Sequence, residues 1–555
     1  MRLRGVTTFL VAGAGSSWLQ KPYADGLRRR LVEEFSSLYV LNLRGDVRKD
    51  ALASGIYREG ENVFGTRSMT GIAVFIMVKG GRGAVGEIQY LDIGDDLSEK
   101  QKLSFLHDAR SISSLLEANR FSAIEPNSDA DWIDQRDSTF ENFKEMGNKK
   151  TGSGEKIFLD HTNGIKTQRD VWCYNCSAKD LEQNIRQFIQ FYNSEVERYS
   201  TDGIGAIVDS FINTDPKHTN WTRSLKRDLS RQIKAEYSEG FIRQSAYRPF
   251  FKTHLYFNKQ LNEEIGQIPR VFPIVKAENR LICVSGIGSQ RGISVFMTDE
   301  VPDLQFIQNG QFFPLYLYEK PLTDGGLFAT ATHEQNTLNR RDAITDEGLA
   351  HFQASYSNEK IFKEDIFYYV YGLLHSLEYR NRYANNLTRQ LPRIPAVKKA
   401  SDFWAFVASG RRLGDLHCGY ETVEPYPVVF SSGELSLAAP ADPVSFYRVE
   451  KMKFAGKRPN LDKTSVIYNS NITITGIPLD AYEYVVNSKP ALEWVMERQC
   501  VKTDKASGIV NDANCYAIET AGDPAYPLRL FQRVITVSLE TMQIVRALPP
   551  LGELT

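Results

Sequence analysis

Cysteine is scarce in this chain, with six residues, at 173, 176, 283, 418, 500 and 515, among 555. That density cannot build a disulfide framework and suits a reducing compartment, so the expected location is cytoplasmic. The single CxxC, Cys173-Tyr-Asn-Cys176, has no second close pair of Cys or His. It therefore reads as two half-buried thiols rather than a zinc site, and no metal is expected. Net charge is nearly absent as well, 67 Lys+Arg standing against 68 Asp+Glu; bulk electrostatics names no partner. The best apolar run, Ile72 to Val78, falls far short of the roughly 20 residues that span a bilayer, so no membrane is expected. Met1-Arg-Leu-Arg followed by Val6 to Val11 has the outline of a secretory signal, but Thr7 and Thr8 weaken its apolar stretch.

Several catalytic signatures are also missing. The only Gly-Lys, Gly456-Lys457, is followed by Arg458, so no phosphate-cradling Walker loop exists. No Glu has Lys two residues on, which removes half of one common metal-dependent nuclease site. Neither G-x-S-x-G nor H-E-x-x-H occurs. Gly13-Ala-Gly15 has Trp18 where a dinucleotide fingerprint needs its third glycine, and it reads as a strand-to-helix turn. No [DN]-P-P-[YF] loop is present to grip a flipped base; the one Pro-Pro is Pro549-Pro550. The sequence therefore assigns no catalytic residue and no cofactor to these 555 residues alone.

What is present is a globular pattern. Hydrophobic residues make up 42%, enough for a core in each of the two to four domains that such a length suggests at roughly 150 residues apiece. The first part alternates strand and helix. Val6 to Ala12 reads as a strand, Ala24 to Phe35 as a helix with Leu27, Leu31 and Val32 on one side, and Leu38 to Leu43 as a second strand. Such a βαβ unit predicts a parallel sheet, with Ile72 to Val78 as a further strand buried on both faces. From about 95 to 155 the pattern turns charged and polar, as a junction would. Beyond it come short runs, aromatics and Gly/Pro punctuation, which predict α+β structure. Periodic helices are expected at 178–199 and 365–386. The expected fold class is thus α/β, a partial Rossmann-like sheet over residues 1–178 including the junction, followed by a larger α+β domain over 179–555.

Charge, neutral overall, is unevenly spread. Lys217 to Lys252 holds nine bases against three acids, and Arg380 to Lys399 holds six bases and no acid. Aromatics interleave with both, among them Trp221, Tyr237, Tyr247 and Tyr383. Cations for phosphates, with Arg and Asn for base edges, are what a duplex reader needs, whereas a solvated helix face would carry the same composition.

Longer strings resemble a known family. They include Ala24-Asp-Gly-Leu-Arg-Arg-Arg-Leu-Val-Glu-Glu-Phe35, Trp132-Ile-Asp-Gln-Arg136, Lys166-Thr-Gln-Arg-Asp-Val-Trp172 and Tyr247-Arg-Pro-Phe250. Met297-Thr-Asp-Glu-Val-Pro-Asp303, Glu378-Tyr-Arg-Asn-Arg-Tyr-Ala-Asn385 and Asp504-Lys-Ala-Ser-Gly-Ile-Val-Asn-Asp-Ala-Asn514 continue the series. Together they resemble the C-terminal part of the type ISP restriction-modification enzymes, phage-defence polypeptides that join nuclease, translocase, adenine-N6 methyltransferase and target recognition domain. The resemblance departs at Ala12-Gly-Ala-Gly-Ser-Ser-Trp18, where the family more often has a Thr/Asn-Gly-Ser-like turn.

The resemblance implies that the α/β segment is the end of the methyltransferase core and the remainder the target recognition domain. S-adenosylmethionine is implied as cofactor of the complete enzyme only, because its loop and the catalytic loop have no counterpart here. Double-stranded DNA is the implied partner. Phosphate contacts would fall to Arg223, Lys226, Arg227, Arg231, Arg248 and Lys252, and base contacts to Arg291, Arg380, Arg382, Asn385 and Arg389. Tyr247-Arg-Pro-Phe250 serves equally well as a packing corner. The leading expectation is a DNA specificity module acting with a chain or segment that carries the catalytic half; the alternatives are one half of a split adenine-N6 methyltransferase, or an inert remnant.

Overall fold

In the computed structural model, the described residues are 8–46, 59–65, 68–80, 86–149, 156–275, 277–289, 292–319, 338–458, 460–552 and 554. They form two compact units. The first comprises Met1–Asn142, Ile287–Gly292 and Asn381–Gln390; the second comprises Phe143–Gly286, Ile293–Arg380 and Leu391–Thr555.

The first unit is built on a five-stranded mixed sheet. Strand β1 (Thr8–Gly15), helix α1 (Asp25–Glu34) and strand β2 (Ser37–Arg44) follow the expected strand–helix–strand order. They are joined by β3 (Ile72–Lys79), β4 (Glu87–Asp92), helices α2 (Glu99–Ala109) and α3 (Ile112–Glu117), and β5 (Ser122–Ile124). The sheet order is β1-β3-β2-β4-β5. Both β1 and β2 run antiparallel to β3, so they are parallel to each other but separated by it, and only β2 and β4 form a parallel pair. The expected wholly parallel sheet is therefore replaced by a mixed one. An apolar run such as Ile72 to Val78 does not carry strand direction, because parallel and antiparallel neighbours bury the same side chains.

Both faces of β2 are covered. Leu38 and Val40 join Phe75, Met77, Ile88 and Trp132 in one cluster, while Leu41 and Leu43 join Leu91, Leu115 and Phe121 in another. Strand β3 alternates fully buried with half-buried residues instead of burying both faces equally. Helix α1 also departs from its expected face. Leu31 and Val32 pack against the first cluster, but Leu27 is 50% exposed and the fully buried residue is Arg28.

The second unit holds several small sheets among helices. Helix α4 (Ala178–Asp202) starts where the Ser177 hydroxyl accepts from the Asp180 amide at 3.0 Å, and Leu181, Ile185, Phe188, Ile189, Tyr192 and Val196 are all buried as their spacing predicted. Helix α5 (Arg223–Ser230) precedes the hairpin of β6 (Ile242–Arg248) and β7 (Phe251–Tyr256). Tyr174–Asn175 and Val301–Pro302 complete that sheet. A second sheet pairs β8 (Leu281–Val284) with β9 (Val295–Thr298) on one side and β10 (Gln311–Pro314) on the other.

The helix expected over 365–386 is instead broken into α6 (Lys363–Leu373), α7 (Leu377–Arg382) and a short turn at Ala384–Leu387. Every residue from Asp365 to Leu373 is buried, so this helix lies inside the unit, whereas Leu377 is 50% exposed. α6 crosses α8 (Ala400–Cys418) at two glycines. A Cβ on Gly410 would stand 1.9 Å from the Tyr368 carbonyl, and one on Gly372 would stand 2.3 Å from that of Phe406.

Farther on lie the hairpin of β11 (Lys453–Lys457) and β12 (Asn460–Ile467), helix α9 (Ala491–Arg498), and a smaller hairpin of β13 (Val501–Thr503) and β14 (Val510–Asp512). The 21-residue α10 (Tyr526–Arg546) buries twelve of its side chains. Among the described residues, no helix is long and apolar enough to cross a membrane, and no three His, Cys, Asp or Glu gather as metal ligands would. The CxxC thiols are fully rather than half buried, and burial pushes that of Cys173 up to about 12.

Candidate nucleic-acid interface

Each described cation named from the sequence can be placed by what its side chain meets. α5 begins where the Thr222 hydroxyl accepts from the Leu225 amide, and its buried Leu225 and Leu229 fix which face turns outward. Arg223, Arg227 and Arg231 are exposed. Among the described residues, Arg223 and Arg231 make no side-chain ion pair, whereas Arg227 lies 3.6 Å from Asp228 and Lys226 is bound to Asp209. This face thus keeps only part of its formal charge.

Arg248 and Lys252 are held differently. Arg248 is 13% exposed, donates to Asp303 at 2.5 Å and lies 3.9 Å above the Tyr247 ring. Phe250 at the same corner is fully buried with φ +57, so Tyr247-Arg-Pro-Phe250 is a packing corner. Lys252 is 11% exposed and reaches Glu421 at 2.9 Å and Glu300 at 3.6 Å. Burial pushes the Glu300 carboxyl up to about 7 and that of Asp303 to about 6, against the pull of Lys252 and Arg248. Arg248 is thus the counter-charge of a buried acid, and Lys252 that of two half-buried ones.

The 380–399 stretch divides between the units. In the second unit, half-buried Arg380 donates through Nε to the Leu374 carbonyl at 2.5 Å, and Arg393 pairs with Glu145 at 3.1 Å. In the first unit, Arg382 reaches Asp137 at 3.3 Å and Asn385 donates to the Gln135 carbonyl at 3.1 Å. Neighbouring Asn386, 1% exposed, both donates to the Asp137 carbonyl and accepts from its amide. Arg389 is 7% exposed and bound to Asp131, which is itself fully buried and also accepts from Arg28 at 3.2 Å and Arg136 at 2.8 Å. Burial opposes ionisation of Asp131, but Arg136 and Arg389 hold its carboxyl below the usual range. Arg28 further donates to the Ala130, Trp18 and Lys21 carbonyls. Arg291 lies outside the described residues.

Besides Arg223 and Arg231, free cations gather in a second place. Lys451, Lys453, Lys457 and Arg458, on and beside the first strand of the β11–β12 hairpin, are exposed and make no side-chain hydrogen bond or ion pair among the described residues. Lys502 and Lys505 on the β13–β14 hairpin are in the same state. A bridge between Lys451 and Cys500, with the Val501 amide donating to the Glu450 carbonyl at 3.1 Å, joins the roots of the two hairpins. At that junction opens a cavity of about 410 Å³ lined by Tyr174, Tyr247, Phe251, Lys451, Arg498 and Lys502 among others. The sequence did carry a signal here, Gly456-Lys-Arg-Pro-Asn460, a turn flanked by bases. It was informative only as the failure of a Walker loop, because nothing in one strand shows whether a lysine has a partner.

A family model described as the type ISP C-terminal specificity domain matches residues 156–530. Three solved structures are similar over nearly the whole chain. One is a nuclease-deletion mutant of the type ISP restriction-modification enzyme LlaGI in complex with a DNA substrate mimic: 34% identity, 99% of this chain and 47% of that one, TM-score 0.78. The second is the ATP-dependent type ISP restriction-modification enzyme LlaBIII bound to DNA: 33% identity, 99% and 33% covered, TM-score 0.77. The third is a DrdV–DNA complex: 28% identity, 98% and 51% covered, TM-score 0.76. This chain therefore spans about half or less of those polypeptides. No curated protein matches it.

Proposed function

The chain belongs to the type ISP C-terminal specificity family, and from that premise we propose that it recognises a duplex DNA sequence on behalf of a restriction-modification system. The observation that carries this reading is the match across both units to three enzymes solved on DNA or a DNA mimic. The second unit, which holds most of residues 156–530, is the target recognition domain.

The first unit is, on this reading, the trailing part of an adenine-N6 methyltransferase core of Rossmann-like descent. Its strand–helix–strand start, with β1 and β2 parallel, supports the assignment. So does the edge strand β1, which pairs only with β3 among the described residues and leaves Leu10 at 48% exposure. Unpaired strand edges and uncovered apolar groups invite a neighbour. We assign that place to the catalytic methyltransferase half, with its S-adenosylmethionine site, whether in one polypeptide or as a separate chain. The chemistry of the whole would be methyl transfer to a flipped adenine.

The test is retention of a random-sequence duplex library by the purified, folded chain across a salt series, with the retained DNA sequenced. An enriched motif whose affinity falls steeply with salt supports the reading. A folded chain that retains no duplex at any salt overturns it.

A further inference from the structure

We propose that the joined β11–β12 and β13–β14 hairpins, rather than the two stretches of highest basic density, form the surface that meets the DNA backbone; the proposal rests on the reading of the chain as a duplex binder. Phosphate contact requires a cation that is exposed and not already neutralised. Among the described residues, Lys451, Lys453, Lys457, Arg458 and Lys505 meet both conditions, and Lys502 is exposed with only the distant pull of Glu497 and Asp504. Arg223 and Arg231 meet them too, but on a helix face shared with the ion-paired Lys226 and Arg227.

The acids beside them are engaged by other groups. Glu450 and Asp512 each pair with Arg448 at 2.8 Å, and Glu493 pairs with Lys463 at 3.2 Å. Glu497 is bound by Lys489 and Arg498. Asp462 accepts from the Thr464 amide and hydroxyl at 2.9 and 2.6 Å, and Asp504 from the Ala506 and Ser507 amides at 3.1 and 2.8 Å. Asp462 and Asp504 keep their charge, Asp504 and Glu497 act on Lys502, and Arg448 answers only one of its two acids; the six cations outnumber what is left, so the junction presents a positive excess.

Shape agrees with charge. β11 is the outer strand of its sheet, and residues 456–458 and 460–464 around the turn are exposed on both strands. The ribbon therefore stands clear of the body, and a two-stranded ribbon is an element that the major groove admits. Phe454 packs toward Tyr482, at 5.9 Å between rings, so Lys453, its neighbour in an alternating strand, turns the other way. Lysines on an edge strand also discourage edge-to-edge pairing. That role accounts for Lys453 and Lys457 but not for Lys451, Arg458, Lys502 and Lys505, which lie outside β11.

The experiment compares two triple variants of the full chain on one duplex across a salt series. One is Lys453→Gln, Lys457→Gln and Arg458→Gln; the other is Arg223→Gln, Arg227→Gln and Arg231→Gln. Each lost phosphate contact removes about 0.9 from the log–log salt slope. The hairpin variant is expected to lose nearly three from that slope and roughly a hundredfold in affinity near 0.1 M salt, alike on all sequences, with its melting temperature unchanged. Lys453→Arg with Lys457→Arg is expected to keep wild-type binding. A hairpin variant that keeps the wild-type slope overturns the proposal while leaving duplex binding intact. Absence of duplex binding by the folded wild type overturns the underlying reading and the proposal with it.

Discussion

Lys252 and Lys453 both sit in strands of hairpins in the second unit, yet they show opposite uses of one side chain. Lys252 is 11% exposed between Glu421 and Glu300, whereas Lys453 is exposed with no side-chain partner among the described residues. The same contrast separates whole regions. Of the ten described cations and amides expected to touch DNA, Arg248 and Arg389 are taken up by buried acids, Lys252 by half-buried ones, and Arg380 and Asn385 by backbone carbonyls. Density of basic residues along a sequence therefore measures two things at once, the charge offered to a ligand and the charge consumed in holding acids inside the protein.

The largest break in this comparison comes from removing a consumed charge. Arg248→Met leaves Asp303 buried without its counter-charge, a change that typically costs about 3–5 kcal/mol; Arg389→Met in the first unit is expected to cost less, because Asp131 keeps Arg28 and Arg136. Chemical denaturation is expected to show the loss, and DNA affinity per folded molecule is expected to be unchanged for Arg248→Met. If that affinity falls as steeply as for the hairpin variant, the division between consumed and offered charge fails.

Acid comes next. Burial lowers the pKa of His161 to about 4 and that of His417 to about 3. Unfolded, each would bind its proton near 6.5. Between about 6.5 and 4 each of these histidines is protonated in the unfolded chain and neutral in the folded one, which costs stability as pH is lowered through that window, while the raised carboxyls of Glu300 and Asp303 act in the opposite sense. Melting temperature against pH is expected to show this for the second unit, and His161→Phe, which keeps a ring against Phe313 at the stacked position, is expected to flatten part of the slope. An unchanged slope would remove His161 from the account.

A smaller effect is expected from Gly410→Ala. Its Cβ would meet the Tyr368 carbonyl at 1.9 Å, so α6 and α8 must move apart, at a cost of about 1–3 kcal/mol. Smallest of all, Lys453→Gln or Lys502→Gln is expected to shift stability by less than about 0.5 kcal/mol, as surface changes without partners do. A larger loss in either would mean that the side chain has a structural contact.

What was legible in the sequence follows from which signals are local. The 3.6-residue spacing from Leu181 to Val196 located α4 because one face alone is buried there. The same reasoning overran at 365–386, because α6 is buried all round; periodicity then carries no boundary, and the helix ends after Leu373 at a crossing that Gly372 permits. Strand directions in the first unit were hidden because β3, distant in sequence, inserts between β1 and β2. The burial of Arg28 left no local signal, since its carbonyl partners Trp18, Lys21 and Ala130 come from separate segments. The free cations of the two hairpins were in plain view as letters, but freedom is a property of the neighbours, and those are set by tertiary contacts.

The most direct test of offered against consumed charge is lysine acetylation of the folded chain, free and with saturating duplex, read by mass spectrometry. The account predicts that Lys451, Lys453, Lys457 and Lys502 react readily alone and are protected by DNA, while Lys252 reacts poorly in both states. Protection confined to Lys217 and Lys234, with the hairpin lysines equally reactive in both states, would contradict it.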